Sequence, residues 1–312
     1  MMHRKIAGIP FNRLLIFGSI IVAFVLVAVL VNGFFTPLNL SNMIWQVAPI
    51  GIMACGVSFV MITGGIDISA PAVMAVSAVI GCSYMAQTGN LVFGTVLIIA
   101  IAGAFGLVNG FATAHLGMVP LVVTLSMMTI CQGIATSIAG GESILGLSPA
   151  FSIFFDKTRV IIIFVILAFL LDVLLRRTVF GRRLYYIGTN KNTSLVSGIP
   201  TKSTIMLAYV TSGLCAGVAG VFNTAALSTA RAAMGPETQI LDVISAAVIG
   251  GVSIRGGKGT ILGATLGAIL IIVVNNVMNL QGVSDYYTNM VKGSIIIIAM
   301  AFNAISHRFA EV

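Results

Sequence analysis

Apolar runs of about 20 residues follow one another along the chain, and a helix that crosses a bilayer needs about this length. Runs such as 14–31 and 160–175 show no alternation of polar and apolar positions, so they do not fit the strands of a membrane barrel. Only 8% of the 312 residues are charged, against about 25% in a soluble domain. The chain is therefore predicted to be an all-α membrane protein, because backbone groups in lipid must find partners within the protein.

The apolar runs predict about ten transmembrane helices in one membrane domain, 1–312. We expect these helices at 13–33, 43–63, 71–87, 91–113, 119–139, 159–176, 203–227, 238–252, 260–280 and 289–306. With ten spans, 12 of the 16 Lys and Arg residues fall on one side of the membrane. The positive-inside rule makes that side cytoplasmic, and both termini with it.

One long polar stretch, 176–203, interrupts the apolar pattern and holds six of the 16 Lys and Arg residues. We call it the basic segment. Nearly all the predicted cytosolic chemistry lies in it, which indicates a docking surface for a soluble partner that supplies energy; a basic segment against anionic lipid is the alternative. A short helix is expected at Thr193–Val196, between Gly188 and Gly198. The basic residues of the chain do not form a patch interleaved with aromatic residues, which disfavours nucleic-acid binding.

Two glycine-rich segments, 64–71 and 250–257, echo each other in the two halves of the chain. Paired interruptions of this kind indicate an internal repeat with broken helices near a translocation path. Tight turns between helices are the alternative. Glycines spaced four apart predict close helix packing, within or between subunits; they are Gly106 and Gly110, Gly213 and Gly217, and Gly259, Gly263 and Gly267.

Acids and amides within or beside the apolar runs are the candidates for a translocation path. Asp67 lies in the first glycine-rich segment, where it would either line the path or cap the following helix. Amides suit hydroxyl-rich solutes, but they also hold helices together in a bilayer. The candidate path residues are Asp67, Asn109, Asn223, Asp242, Asn275, Asn276 and Asn279.

The chain lacks the residue patterns of an enzyme. It has no His-Glu-x-x-His motif and no Gly-x-Ser-x-Gly elbow, and its four cysteines stand alone in apolar runs. The stretch 251–260 looks like a phosphate-binding loop, but Gly259 follows Lys258 where Ser or Thr would bind magnesium. We expect no catalytic residue, no metal site and no cofactor. Acid chains typical of ion-coupled carriers are also missing from the spans.

From about residue 41 onward the chain resembles the permease subunits of bacterial ABC sugar importers, the branch with ribose, xylose, arabinose and autoinducer-2 systems. Four blocks of that family recur in order: 64–69, with Ile68 for Leu; 181–199; 241–251 with 253 and 256–259; and 291–293. Two departures, Ile240 for a Glu and Ala70-Pro71 for Val-Gly, bear on substrate transfer more than on fold. Pro71 is expected to start the third helix, where its missing N–H costs nothing.

The resemblance implies a monosaccharide permease in the bacterial cytoplasmic membrane that works by alternating access. Its partners would be an ATPase subunit that binds ATP and magnesium, an extracytoplasmic sugar-binding protein and a second permease subunit, identical or different. In that family the segment like 181–199 contains the coupling helix that docks on the ATPase. The matching residues here are Gly181, Gly188, Asn190, Thr193, Ser194, Ser197 and Gly198.

Three alternatives remain open on the sequence. A permease for nucleosides or branched-chain amino acids shares general features with a sugar permease. A channel or secondary carrier would work without an ATPase, and the polar basic segment disfavours it. An intramembrane enzyme would need a nucleophile and a base that the sequence does not offer.

Overall fold

The structure is a computed structural model that describes residues 5–6, 9–10, 31–234, 236–284, 286–295 and 297. For 5–6, 9–10 and 236–238 only the backbone is described. All but the last three residues of the predicted first span, and most of the predicted last span, lie outside these residues.

The described chain is built almost entirely from helices. In chain order they are α1 (Pro37–Ile62), α2 (Ala70–Thr88), α3 (Leu91–Ala114), α4 (Pro120–Ala139), α5 (Pro149–Phe154), α6 (Lys157–Arg177), α7 (Val179–Thr189), α8 (Lys191–Val196), α9 (Thr201–Leu227), α10 (Pro236–Ile249), α11 (Ile261–Leu280) and the helical stretch 286–295, called α12. A short 3₁₀ helix spans Ala232–Met234. Two-residue strands pair antiparallel, β1 (Lys5–Ile6) with β2 (Ile9–Pro10) and β3 (Ser143–Ile144) with β4 (Ala230–Arg231).

Seven helices in this part of the chain are long and apolar enough to cross a membrane: α1, α2, α3, α4, α6, α9 and α11. They match seven of the ten predicted spans, so the all-α membrane class is confirmed while the count of ten is not. The predicted span at 238–252 is instead the 14-residue α10. At 1.5 Å per residue α10 is about 21 Å long, shorter than a hydrocarbon core of about 30 Å.

The helices begin at capping residues and prolines that can be recognised in the sequence. Asn90 accepts a hydrogen bond from the amide of Phe93 at 3.0 Å and starts α3, and Thr260 starts α11 by accepting from Gly263 at 3.0 Å. Pro71 lies in the first turn of α2, as predicted.

Helices α1, α2 and α9 form the centre of the bundle, and the others surround them. Of the most apolar 18 residues in each, 78%, 72% and 67% are buried, against 17% in α6. Glycine lets α3 and α9 touch: a Cβ atom built on Gly213 would lie 3.0 Å from the Cα of Gly106. A Cβ on Gly267 would collide with the carbonyl oxygen of Ala246, so α11 packs as closely on α10. These glycines act between helices of one chain.

The first glycine-rich segment is more than a tight turn. After α1 ends, Gly64 adopts a φ of +84°, and the non-helical residues that follow run back into the bundle, with Gly65, Asp67 and Ser69 buried. Non-helical backbone at such depth is tolerated where protein surrounds it, so the break expected between the two helices is present. The second segment is a loop whose Gly257 amide donates to the carbonyl of Ile62 at 2.9 Å. The two segments therefore meet at one end of the bundle; the internal repeat stays a prediction.

Candidate functional site

A polar cavity of about 460 Å³ opens near the end of the bundle where α1 begins. The N-terminal half of α1, the last turns of α9 and α11, the first turns of α10, and α12 form its wall. The residues that line it are Asn42, Trp45, Gln46, Pro49, Ile50, Asn223, Ala226, Leu227, Gln239, Asp242, Ile272, Asn275, Asn279, Thr288, Asn289 and Lys292.

Amides dominate the polar part of this wall. Seven line it, and each offers two donors and an acceptor. Two acceptors, Oε1 of Gln239 and Oδ1 of Asn275, are buried and have no hydrogen-bond partner within the described protein. Both atoms lie beneath the accessible surface, so a hydroxyl-bearing solute would meet the more exposed amides of the wall, such as Asn42, Gln46 and Asn279.

Trp45, the only tryptophan of the sequence, adds a flat apolar surface to the wall. It is half-buried, and the Nζ atom of Lys157 lies 5.9 Å from its ring centroid. A cation at this distance from an indole face is attracted to the ring and holds its orientation. The cavity thus combines hydrogen-bonding groups with one oriented aromatic face, a combination typical of small-molecule sites.

The charges on the wall neutralise each other. Among the described residues that line the cavity, only Asp242 and Lys292 are charged, and Nζ of Lys292 lies 2.8 Å from Oδ1 of Asp242. Their side chains are 6% and 7% exposed. Nδ2 of Asn275 donates to the other carboxylate oxygen at 3.1 Å. An ionisable group at membrane depth needs such partners; the ion pair joins α10 to α12, and Asn275 connects α11 to both.

Asp67 lies away from the cavity and joins three helices. Its Oδ1 accepts from the amide and the hydroxyl of Ser69, the N-cap residue of α2, at 3.0 and 2.6 Å. Its Oδ2 accepts from the hydroxyl of Ser212 on α9 at 2.7 Å. Nδ2 of Asn109 on α3 donates to the Ser69 hydroxyl at 2.9 Å. Asp67 therefore links the start of α2 to α9, and the Ser69 hydroxyl extends the link to α3.

The seven candidate path residues thus divide into two groups. Asn223, Asp242, Asn275 and Asn279 line the cavity. Asn276 instead exchanges two hydrogen bonds with Asn39 of α1, at 2.9 and 2.6 Å, and so joins helices as Asp67 and Asn109 do.

Sequence reasoning missed most of the remaining polar wall, namely Asn42, Trp45, Gln46, Gln239, Asn289 and Lys292. Only Lys292 had a signal, since it lies in the fourth block of the family resemblance. Polar residues near helix ends otherwise look like ordinary interfacial residues, and only packing shows that they face a common space.

The basic segment lies at the opposite end of α1 and is largely helical. The short helix predicted at Thr193–Val196 is α8, which begins two residues earlier, at Lys191. Asn190 separates it from α7 and caps it by accepting from the Thr193 amide at 3.0 Å. Gly198, with a φ of +77°, ends the turn. Gly188, expected to flank this short helix, lies inside the preceding helix α7, as Gly181 does.

A surface depression of about 340 Å³ lies beside α8, and Tyr186, Thr189, Asn190, Thr193, Ser194, Ser197 and Ile199 line it. Four of the seven predicted coupling residues are among them. Next to the depression, Leu195 is 61% exposed and Val196 is 90% exposed. Apolar side chains exposed on a polar segment indicate a protein contact surface.

A helical membrane bundle with an open polar cavity toward one end and a helical polar segment at the other defines a multi-pass transport protein. The chain belongs to the family described as branched-chain amino acid transport system / permease component, whose family model matches residues 39–300. It is thus a permease component of the cytoplasmic membrane and not an enzyme. No solved structure matches the chain.

Three curated relatives are similar over nearly their whole length. The ribose import permease protein RbsC of Bacillus subtilis is 36% identical over 91% of this chain and 90% of the relative. The D-allose transport system permease protein AlsC of Escherichia coli is 33% identical, over 94% of each chain. The L-arabinose ABC transporter permease protein AraH of Azospirillum brasilense is 32% identical over 94% and 87%.

Proposed function

We propose that the chain is the permease subunit of an ABC importer and translocates a neutral monosaccharide, a ribose-like pentose or a hexose. The observation that carries the proposal is the cavity wall, with seven amides, one oriented indole ring and charges that neutralise each other. The names of the three relatives, which refer to ribose, D-allose and L-arabinose, support the same substrate class.

The amides would exchange hydrogen bonds with sugar hydroxyls, each of which both donates and accepts. The exposed amides of Asn42, Gln46 and Asn279 would supply those bonds, and Trp45 would contact the carbon-bound hydrogens of one ring face. Sugar hydroxyls would take the place of the water molecules that otherwise form hydrogen bonds with these amides. We expect binding to be weak, because each hydrogen bond to sugar replaces one to water, and a translocation path must release its solute.

The family description names branched-chain amino acids, yet the wall is poorly suited to them. An amino acid carries an ammonium and a carboxylate, and both need free opposite charges when taken from water. The two charged side chains on the described wall, Asp242 and Lys292, form an ion pair with each other, so neither is available to pair with the ammonium or the carboxylate of an amino acid. A neutral solute leaves the pair intact.

The proposed cycle needs an ATPase subunit, an extracytoplasmic sugar-binding protein and a second permease subunit. α8 and the depression beside it would dock on the ATPase in the cytoplasm, and the binding protein would deliver sugar to the open end of the cavity. Both termini would then lie in the cytoplasm. ATP and magnesium would be bound by the ATPase, and its closure would move the helices that the basic segment contacts.

Uptake by a reconstituted complex tests the proposal. The chain is purified with its ATPase and binding protein, placed in vesicles, and supplied with labelled ribose, allose or arabinose, with leucine and a nucleoside as comparison solutes. We expect ATP-dependent accumulation of at least one sugar. Uptake of leucine or the nucleoside without any sugar, or uptake by the chain without its ATPase, would contradict the proposal.

A further inference from the structure

Three backbone segments meet at the end of the bundle opposite the cavity. They are the end of α1, the last turn of α7 and the loop 252–260. The amide of Gly257 donates to the carbonyl of Ile62 at 2.9 Å, which joins the loop to α1. A Cβ built on Gly256 would lie 2.8 Å from the Gly188 carbonyl oxygen and 2.9 Å from the Gly64 amide nitrogen. We call this meeting point the junction.

At the junction, the backbone of α7 contacts the backbones of the other two segments directly. A Cβ on Gly188 would collide with the carbonyl oxygen of Ile62 and the amide nitrogen of Gly257, so only glycine allows this approach. Three residues earlier, the hydroxyl of Tyr185 donates to the carbonyl of Gly259 at 2.7 Å. Backbone contact and one hydrogen bond thus hold α7 against both of the other segments.

The junction connects the two functional regions through continuous chain. Toward the surface, Asn190 alone separates α7 from α8, the proposed ATPase contact. Toward the cavity, α1 runs from Ile62 back to Trp45 and Gln46, and α11 runs from just beyond Gly259 to Asn275 and Asn279. Helices are stiff over such lengths, so a displacement at one end moves the other.

We propose that Tyr185 and Gly188 pass displacement of α7 and α8 to the inner ends of α1 and α11, which reshapes the cavity wall at their outer ends. Gly188 permits the contact, and the hydrogen bond of Tyr185 makes α7 and the start of α11 move together. Tyr185 is thereby a positioning residue for transport. The inference rests on the proposed function, because it takes α8 as the ATPase contact.

Tyr185→Phe is the variant that tests the inference, since it removes the hydroxyl and keeps the ring. Tyr84→Phe is the matched control. Tyr84 lies near the C-terminal end of α2, and its ring centroid is 5.1 Å from that of Phe93. Two measurements are needed, one on the purified chain alone and one on the complex.

On the chain alone, pulsed electron paramagnetic resonance measures the distance between nitroxide labels placed by Val196→Cys and Arg255→Cys. Both positions are exposed, and the four native cysteines are buried. We expect a narrow distance distribution in the otherwise unchanged chain and with Tyr84→Phe. With Tyr185→Phe we expect it to be at least twice as wide, because α7 and α8 lose a bond to the loop that carries Arg255.

On the reconstituted complex, sugar transported per ATP hydrolysed is measured for the same variants. A lost neutral hydrogen bond changes an equilibrium by roughly 2-fold to 10-fold, so we expect Tyr185→Phe to lower this ratio by about that factor while hydrolysis continues. An unchanged width overturns the inference. A wider distribution with an unchanged ratio also overturns it, since the bond would then be structural only. A native complex that fails to transport sugar overturns the proposed function, and this inference with it.

Discussion

Asp242 and Lys292 lie 50 positions apart in the chain and form an ion pair of 2.8 Å, with less than a tenth of either side chain exposed. The pair joins the first turns of α10 to α12 and forms part of the cavity wall. Burying two charges is costly. Removing only one of them destabilises the protein more than replacing both, because the remaining charge is buried without a partner.

Asp242→Asn is therefore expected to destabilise the chain strongly, by about 3 to 5 kcal/mol, and to abolish uptake. Thermal unfolding in detergent and uptake in vesicles measure the two effects. Replacing both charges, with Asp242→Asn and Lys292→Gln together, should recover much of the stability. The control is Asp172→Asn, which breaks the pair of 2.9 Å with Arg176. That pair is partly exposed, so a change of about 0.2 to 1 kcal/mol is expected. Equal effects of the two single variants would contradict this account.

Asp67→Asn is expected to cost about 1 to 3 kcal/mol of stability, because an amide cannot accept from both Ser69 and Ser212 as the carboxylate does. Uptake should fall in proportion to the loss of folded protein and more than with Asp172→Asn. Thermal unfolding and uptake are compared on the same preparations. Full stability together with lost uptake would mean that Asp67 acts in the path.

Gln46→Leu is expected to lower sugar uptake by roughly 2-fold to 10-fold, the worth of one neutral hydrogen bond, without a change in thermal stability. Gln46 is exposed and lines the cavity, so the change tests whether sugar contacts this wall. Uptake is measured with the binding protein in saturating amount. Gln87→Leu, at an exposed position near the end of α2, is the control and should transport normally. Unchanged uptake by Gln46→Leu would argue that sugar does not contact this wall.

Val196→Asp should reduce recovery of the ATPase with the tagged chain at least 10-fold. The side chain is 90% exposed, so the change leaves folding intact but puts a charge into the proposed contact. Co-purification followed by quantitative mass spectrometry measures the recovery. Ser203→Asp, exposed in the first turn of α9 and outside the depression, is the control. Normal recovery with Val196→Asp would place the ATPase contact elsewhere.

The sequence by itself determined the class of protein and seven of its spans, because a helix in lipid needs about 20 apolar residues wherever it packs. It also located the basic segment, the broken connection at 64–69 and the short helix of α8. These features depend on local composition, on glycine and proline, and on caps close in sequence.

Only the tertiary structure decided which polar residues share a site. Asn275 and Asn276 are neighbours in α11, yet Asn275 bonds to Asp242 in the cavity wall and Asn276 bonds to Asn39 of α1. Successive residues on a helix point about 100° apart, and an apolar helix surrounded by apolar neighbours gives no pattern that shows which direction faces the cavity. The same holds for Lys292 and for the junction, where contacts form between segments far apart in sequence and depend on how the helices pack.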